Sequence, residues 1–73
     1  MDDPRLEKLG KKIKRLRIEK GYSNYEHFAY KVGISRSQYG KYETGHNLTF
    51  LTLLKIVDGL DMTLKEFFED GLE

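Results

Sequence analysis

The chain contains no cysteine and only two histidines among its 73 residues. Without cysteine it can form neither a disulfide bond nor a thiolate metal site, which fits a reducing compartment, and we expect a cytoplasmic protein. His27 and His46 are not at metal-ligand spacing. No glycine-rich phosphate loop is present, and Ser23 and Ser35 stand where they can cap helices. An enzyme is therefore the weakest interpretation, and we predict no catalytic residue, no metal and no cofactor.

Long hydrophobic runs are absent as well. The N-terminus, Met1-Asp2-Asp3-Pro4, lacks the apolar run of a signal peptide, and no segment suits membrane insertion. A domain this small buries only about 60% of the surface of its unfolded chain, which leaves little room for a deep catalytic pocket. Five tyrosines and four phenylalanines supply apolar surface for a compact core. We predict a single domain over residues 1–73, with no membrane partner and no small-molecule effector.

The net charge of +1 hides a strong asymmetry along the chain. Residues 5–20 hold eight basic side chains against two carboxylates, whereas residues 47–73 hold two lysines against six carboxylates. The basic segment is a candidate surface for a polyanion, and the other end is acidic. The alternative is a solvated basic helix that has no partner.

Apolar periodicity and capping residues predict an all-α chain of five helices and no strand, at about residues 4–20, 24–32, 35–43, 49–58 and 63–70. In the first helix, the expected inward residues are Leu6, Leu9, Ile13 and Leu16, and Lys8, Lys11, Lys12 and Arg15 are expected mostly on the outer side. In the others, the expected inward residues are Phe28, Ala29 and Val32, then Phe50, Leu53, Leu54 and Val57, then Leu64 and Phe67. No helix is long enough to be stable alone, so these faces must pack into one core.

The helix starts are marked by polar capping residues. Asp3 and Thr49 precede the first and fourth helices, and capping boxes pair Ser35 with Gln38 and Thr63 with Glu66. For the second helix, Ser23 with Glu26 makes a capping box, and Asn24 is an equally good cap one residue later.

The predicted third helix sorts its residues onto two chemically opposite faces. Tyr39 and Tyr42 share the inner side, whereas the outer side carries two cations, two small residues and no carboxylate: Arg36, Ser37, Gly40 and Lys41. Only the turn Gly33-Ile34-Ser35 separates this helix from the second one. That spacing is typical of a helix-turn-helix.

Over about residues 9–68, the chain resembles the Cro and phage-repressor type of helix-turn-helix regulator, the XRE family. The resemblance rests on short motifs in matching order: Leu9-Gly10-Lys11-Lys12-Ile13, Leu16-Arg17 before Lys20-Gly21, Phe28-Ala29, Val32-Gly33-Ile34-Ser35, Tyr42-Glu43-Thr44-Gly45 and Leu53-Leu54-Lys55-Ile56. It implies a lambda-repressor-like DNA-binding domain and a homodimeric transcriptional regulator, expected to be a repressor. The third helix would be the recognition helix in the DNA major groove.

The same resemblance implies roles for individual residues. Base reading would fall to Arg36, Ser37 and Lys41, because arginine and lysine can donate to the guanine edge. Phosphate contacts would come from Asn24, Tyr25, Gln38, Thr44, His46 and Asn47. The family pattern also implies an internal ion pair between Arg17 and Glu43.

Two of the departures from the family pattern lie at the expected DNA-binding surface. Tyr25 stands where a phosphate-binding glutamine is common, and its role is either to donate to a phosphate or to pack. Gly40 lies within the recognition helix, where it costs roughly 1 kcal/mol relative to alanine. It either lets the helix approach DNA closely or is merely tolerated.

A second class of function stays open at this stage. The chain is alternatively a helical protein-interaction module, such as an antitoxin or accessory subunit, and would then have little affinity for any duplex. Leu51 lies off the apolar face of the fourth helix and is either part of a dimer surface, beside Phe68, or a scattered surface leucine.

Overall fold

The computed structural model describes residues 3–73, which form five α-helices: α1 (Pro4–Glu19), α2 (Tyr25–Val32), α3 (Arg36–Glu43), α4 (Phe50–Gly59) and α5 (Leu64–Phe67). No strand occurs within these residues. The predicted all-α architecture of five helices is therefore confirmed. Met1 and Asp2, which the predicted domain includes, lie outside the described residues.

Each helix starts at a polar cap. Asp3, Thr49 and Thr63 accept hydrogen bonds from backbone N–H groups in the first turns of α1, α4 and α5. The capping box of α5 is complete, because the Glu66 carboxylate also accepts from the backbone N–H of Thr63 at 2.8 Å. At α2 the cap is Asn24, whose side chain accepts from the backbone N–H of Glu26 at 2.7 Å.

The alternative capping box at α2 does not form, and the predicted box at α3 is incomplete. Glu26 directs its carboxylate to Arg36 rather than back to Ser23. At α3, Ser35 accepts from the backbone N–H of Gln38 at 3.3 Å, but the Gln38 side chain donates to the Tyr42 hydroxyl at 3.1 Å instead of returning to the cap. The reciprocal half of that box was therefore a wrong prediction, because a side-chain acceptor lies one turn further along the helix.

The core takes one fully buried side chain from every helix. These are Ile13, Phe28, Tyr39, Ile56 and Phe67, each with 0% exposure. Burying one such side chain stabilises a fold by about 1.5–3 kcal/mol relative to leaving it in water. The five short helices therefore depend on one shared cluster for their stability.

The buried face of α4 differs from the predicted one. Phe50 is 63% exposed, whereas Ile56 is buried together with Leu53 and Val57, as is Leu60 just after the helix. Most residues of this helix are apolar, so two apolar stripes overlap, and periodicity alone does not choose between them. Packing against α2 and α5 selects the stripe that lies nearer the end of α4.

Lys12 is the other correction. Its side chain is only 2% exposed, although it was predicted on the outer side of α1. The ammonium donates to Asp70 Oδ1 at 2.5 Å and to the Gly71 carbonyl at 2.8 Å, and it lies 5.2 Å from the centre of the Phe67 ring. α5 ends at Phe67 rather than near residue 70, and the turns that follow it bring these acceptors to α1.

None of the helices formed by residues 3–73 combines the length and the apolar character needed to cross a bilayer.

Candidate nucleic-acid interface

A short turn joins α2 to α3. Gly33 ends α2 with φ 75°, a left-handed conformation that glycine adopts without steric cost. The backbone N–H of Ile34 then donates to the Ala29 carbonyl at 3.0 Å, and Ser35 begins the capping of α3. These residues lead the chain from α2 directly into α3, as a helix-turn-helix requires.

The inner side of α3 is held by a buried ion pair. Arg17 Nε donates to Glu43 Oε2 at 2.6 Å, and Arg17 Nη2 donates to Glu43 Oε1 at 3.1 Å. The two side chains are 4% and 10% exposed. The remaining nitrogen of the guanidinium, Nη1, donates to the Tyr22 carbonyl at 2.5 Å. The residues of the expected pair are thus in direct contact and fix the end of α3 to α1.

Tyr39 completes this buried network. Its hydroxyl donates to Glu43 Oε2 at 2.5 Å, and its ring packs edge-on against Phe28 with centroids 5.5 Å apart. Burial raises the pKa of the Tyr39 phenol, and the bond to Glu43 raises it further. Hydrogen bonding to Glu43 raises the pKa of Arg17. The network therefore holds a neutral phenol and a charged guanidinium around one carboxylate.

α1 approaches the end of α3 at a glycine. A Cβ atom on Gly10 would lie 2.7 Å from the carbonyl oxygens of both Tyr42 and Glu43. That is closer than a carbon atom can pack, so only glycine allows the two helices to come this near. The position of α3 is consequently fixed by backbone contact as well as by the ion pair.

The outer side of α3 carries the three predicted base-reading residues. Arg36, Ser37 and Lys41 are all exposed and project from the first two turns of the helix. Arg36 has an internal partner, because its Nη1 donates to Glu26 Oε2 of α2 at 2.5 Å. The bond to Glu26 raises the pKa of the Arg36 guanidinium.

A shallow groove of about 440 Å³ lies beside these residues, lined by Lys14, Tyr25, Ser37, Gly40, Lys41, Glu43 and Thr44. The Tyr25 ring stacks on Tyr39 with centroids 6.3 Å apart and lies over Gly40. A Cβ atom on Gly40 would meet the Tyr25 ring at 3.4 Å. That distance is an ordinary van der Waals contact, so the Tyr25 ring does not require a glycine at position 40.

The other predicted phosphate contacts already take part in local hydrogen bonds. Thr44 donates its hydroxyl proton to the Lys41 carbonyl at 2.8 Å, and His46 Nδ1 lies 3.1 Å from that same oxygen. Asn47 Oδ1 accepts from the backbone N–H of Leu48 at 2.9 Å. Asn24, Gln38 and Asn47 keep amide protons that can donate to phosphate. Thr44, by contrast, must first release its carbonyl partner.

The basic and acidic ends of the sequence lie together in the fold. Arg15 Nη2 donates to the Glu73 carbonyl at 2.8 Å, and Lys8 lies 3.9 Å from the Glu73 carboxylate. With the Lys12–Asp70 pair, the C-terminal turns cover part of the basic side of α1. Lys14 lies elsewhere on α1 and lines the groove beside α3.

Two contributors to this surface were missed by sequence reasoning. Lys14 was counted only within the basic segment, and Glu26 only as a member of a capping box. No sequence signal places either beside α3, because both positions depend on how separate helices pack. Among residues 3–73, no group of three or more His, Cys, Asp or Glu side chains is placed to hold a metal ion.

Comparison with known proteins gives one consistent result. A family model described as Helix-turn-helix matches residues 13–67. The control protein C.MunI of a Mycoplasma species is 38% identical over 71 residues, covering 96% of this chain and 95% of that protein.

Solved structures of controller proteins share the fold. The wild-type restriction-modification controller protein C.Esp1396I is 34% identical, with a TM-score of 0.85, covering 94% of this chain and 90% of that one. C.AhdI from Aeromonas hydrophila, also a restriction-modification controller protein, is 33% identical, with a TM-score of 0.82, covering 90% and 100% respectively. The chain therefore belongs to the helix-turn-helix family of DNA-binding transcriptional regulators, in the Cro and phage-repressor class that its sequence resembles.

Proposed function

We propose that this helix-turn-helix regulator controls the genes of a restriction-modification system and reads its operator with α3. The names of C.Esp1396I and C.AhdI, both restriction-modification controller proteins, support the biological role. The observation that carries the mode of binding is the outer side of α3, where Arg36, Ser37 and Lys41 are exposed while the inner side is fully engaged in the core.

Base reading is assigned to these three outer residues. In the major groove, Arg36 donates to the O6 and N7 acceptors of a guanine, and Lys41 reaches similar acceptors as a point charge. Ser37 lies between them, and its hydroxyl both donates and accepts. Each good bidentate contact discriminates against the wrong base by about 1–3 kcal/mol.

Phosphate contacts are assigned to both sides of α3. Tyr25, Asn24 and Gln38 offer hydroxyl or amide donors near the start of α2 and α3, and His46 and Asn47 offer donors after α3. Thr44 contributes only after its hydroxyl leaves the Lys41 carbonyl. Lys14 adds a cation at the edge of the groove. Such contacts set affinity and register without carrying sequence information.

The protein acts as a homodimer in this proposal. Phe50, Leu51 and Phe68 expose 63%, 62% and 38% of their surfaces on α4 and just after α5. In this proposal a second copy covers these side chains, and the dimer binds a near-palindromic operator whose half-sites lie about 34 Å apart. Bound across a promoter, such a dimer represses by occlusion. The protein works in the cytoplasm, without catalytic activity and without a cofactor.

Selection from a random duplex library tests the proposal. We expect an enriched near-palindrome, and we expect Arg36→Ala or Lys41→Ala to relax base preference by about 1–3 kcal/mol at one position of each half-site. The control is Lys14→Ala, which should weaken binding to all sequences alike. Selection that enriches no motif would contradict the proposal and would favour a protein-interaction module instead.

A further inference from the structure

The contact between Glu26 and Arg36 joins the first turn of α2 to the first residue of α3. Arg36 Nη1 lies 2.5 Å from Glu26 Oε2, and the two side chains are 74% and 38% exposed. Glu26 has no reciprocal role at its own cap, since Asn24 caps α2. Its carboxylate is directed at the residue to which base reading is assigned.

We infer that Glu26 is a positioning residue that holds Arg36 in its base-reading orientation and thereby sharpens specificity. The inference rests on the proposed function, because it concerns how Arg36 meets a base. Glu26 itself contacts no base. It acts through Arg36.

The geometry leaves the reading edge of Arg36 available. Glu26 engages only Nη1, and a guanidinium presents five N–H donors in a rigid fork. The donors on Nε and Nη2 can therefore form the bidentate contact to guanine O6 and N7 while Nη1 stays on the carboxylate. One guanidinium thus binds Glu26 and guanine at the same time.

Electrostatics favours the same arrangement. Arg36 is the first residue of α3, where the positive end of the helix dipole disfavours a cation, whereas Glu26 lies in the first turn of α2, where the dipole favours an anion. The Glu26 carboxylate offsets the unfavourable position of Arg36. In water such a pair is weak, but docking on DNA excludes water from it and strengthens the interaction.

The carboxylate also restricts what else Arg36 can contact. An untethered arginine at a helix start can swing to either phosphate backbone and bind any sequence. Held by Glu26, the guanidinium is kept over the base edges. Removing the carboxylate should therefore raise affinity for all duplexes while lowering the preference for the correct base pair.

The test is a competition binding experiment on the motif selected by the wild-type protein. The measured quantity is the ratio of affinities for that motif and for a duplex changed only at the base pair that Arg36→Ala identifies. We expect Glu26→Gln to lower this ratio about twofold to fivefold, the range expected for one exposed ion pair. The ratios at the other base pairs should not change, which separates positioning from a general loss of structure.

Two controls are matched to this variant. Glu19→Gln also removes one carboxylate from an exposed arginine pair, since Glu19 lies 3.2 Å from Arg15 on α1, and it should leave every ratio unchanged. In an Arg36→Ala background, Glu26→Gln should have no effect on the ratio, because the residue it positions is gone.

The inference is overturned if Glu26→Gln leaves the ratio unchanged or raises it, or if it lowers the ratio equally without Arg36. It is also overturned if Arg36→Ala alters no base preference. If only the Glu26→Gln results fail, the wild-type protein still selects a motif, and the proposed function stands unchanged. If Arg36→Ala alters no base preference, the assignment of base reading to Arg36 is refuted as well, whereas sequence-specific binding by the regulator still rests on the selected motif. A wild-type protein that selects no motif refutes the proposed function instead.

Discussion

Replacing Glu43 with glutamine tests the buried network beneath the recognition helix. The carboxylate accepts two hydrogen bonds from Arg17 and one from Tyr39, and both charged side chains are almost fully buried. Glutamine keeps the shape but loses the charge. Its NH₂ group would also face an N–H donor of Arg17. Two donors cannot bond to each other, so one hydrogen bond between the two side chains is lost.

The expected cost follows from this burial. Removing one partner of a buried ion pair destabilises a protein by about 3–5 kcal/mol, because the other charge is left uncompensated. Arg17 keeps its bond to the Tyr22 carbonyl, so we expect the lower end, about 3 kcal/mol. A chain of this length has about 4–11 kcal/mol of stability in total. The melting temperature should therefore fall by about 12–24 °C.

Urea and thermal unfolding followed by far-UV circular dichroism measure this change. Glu19→Gln is the control, since its pair with Arg15 is exposed and should contribute no more than about 1 kcal/mol. The m-value should stay constant if only stability changes. Equal melting temperatures for the two variants would refute the reasoning.

Three further predictions concern the other contacts. Gly10→Ala should destabilise the fold by about 1–3 kcal/mol in urea unfolding, because its Cβ would press against two carbonyls of α3 at 2.7 Å; an unchanged midpoint would contradict this close approach. Gly40→Ala should instead stabilise by about 0.5–1 kcal/mol, since its Cβ meets Tyr25 at an ordinary 3.4 Å and alanine is the better helix former; a lower midpoint would show that the ring cannot accept the methyl group. Hydrogen bonding to Lys12 lowers the pKa of Asp70 in the folded protein. The stability that this carboxylate supplies is therefore fully present above its pKa in the unfolded chain, about 4, and is lost as the pH falls through its lower pKa in the folded protein. Asp70→Asn should therefore make the free energy of unfolding fall less steeply as the pH is lowered. An unchanged pH dependence would exclude a contribution of the Lys12–Asp70 pair to stability.

Local sequence signals predicted most of the framework. Asp3, Thr49 and Thr63 cap helices as expected, because a cap depends on residues within one turn of it. The five-helix architecture follows from these caps and from apolar spacing. The inward side of α3 was also predictable, since Tyr39 and Tyr42 lie one turn apart among polar residues.

The errors fall where distant segments meet. Lys12 looks like a surface lysine in the sequence, and only the turns after α5 supply its buried acceptors, 58 and 59 residues away. Phe50 lies on one of two equally apolar stripes, and tertiary packing chose the other. At α2 the sequence left Ser23 and Asn24 open as caps. The Glu26 carboxylate does not return to Ser23, because the Arg36 guanidinium of α3 is a stronger partner than a backbone N–H.

The close approach of Gly10 to α3 has a consequence for how such regulators diverge. That contact, the Arg17–Glu43 pair and the Tyr39 ring all attach α3 from its inner side, and none of them uses Arg36, Ser37 or Lys41. Substitutions at the outward positions can therefore accumulate at little cost to folding, since the Arg36–Glu26 pair is exposed. A lineage can in this way acquire a new operator while its recognition helix stays at the same place in the fold, and two such regulators in one cell can respond to separate sites.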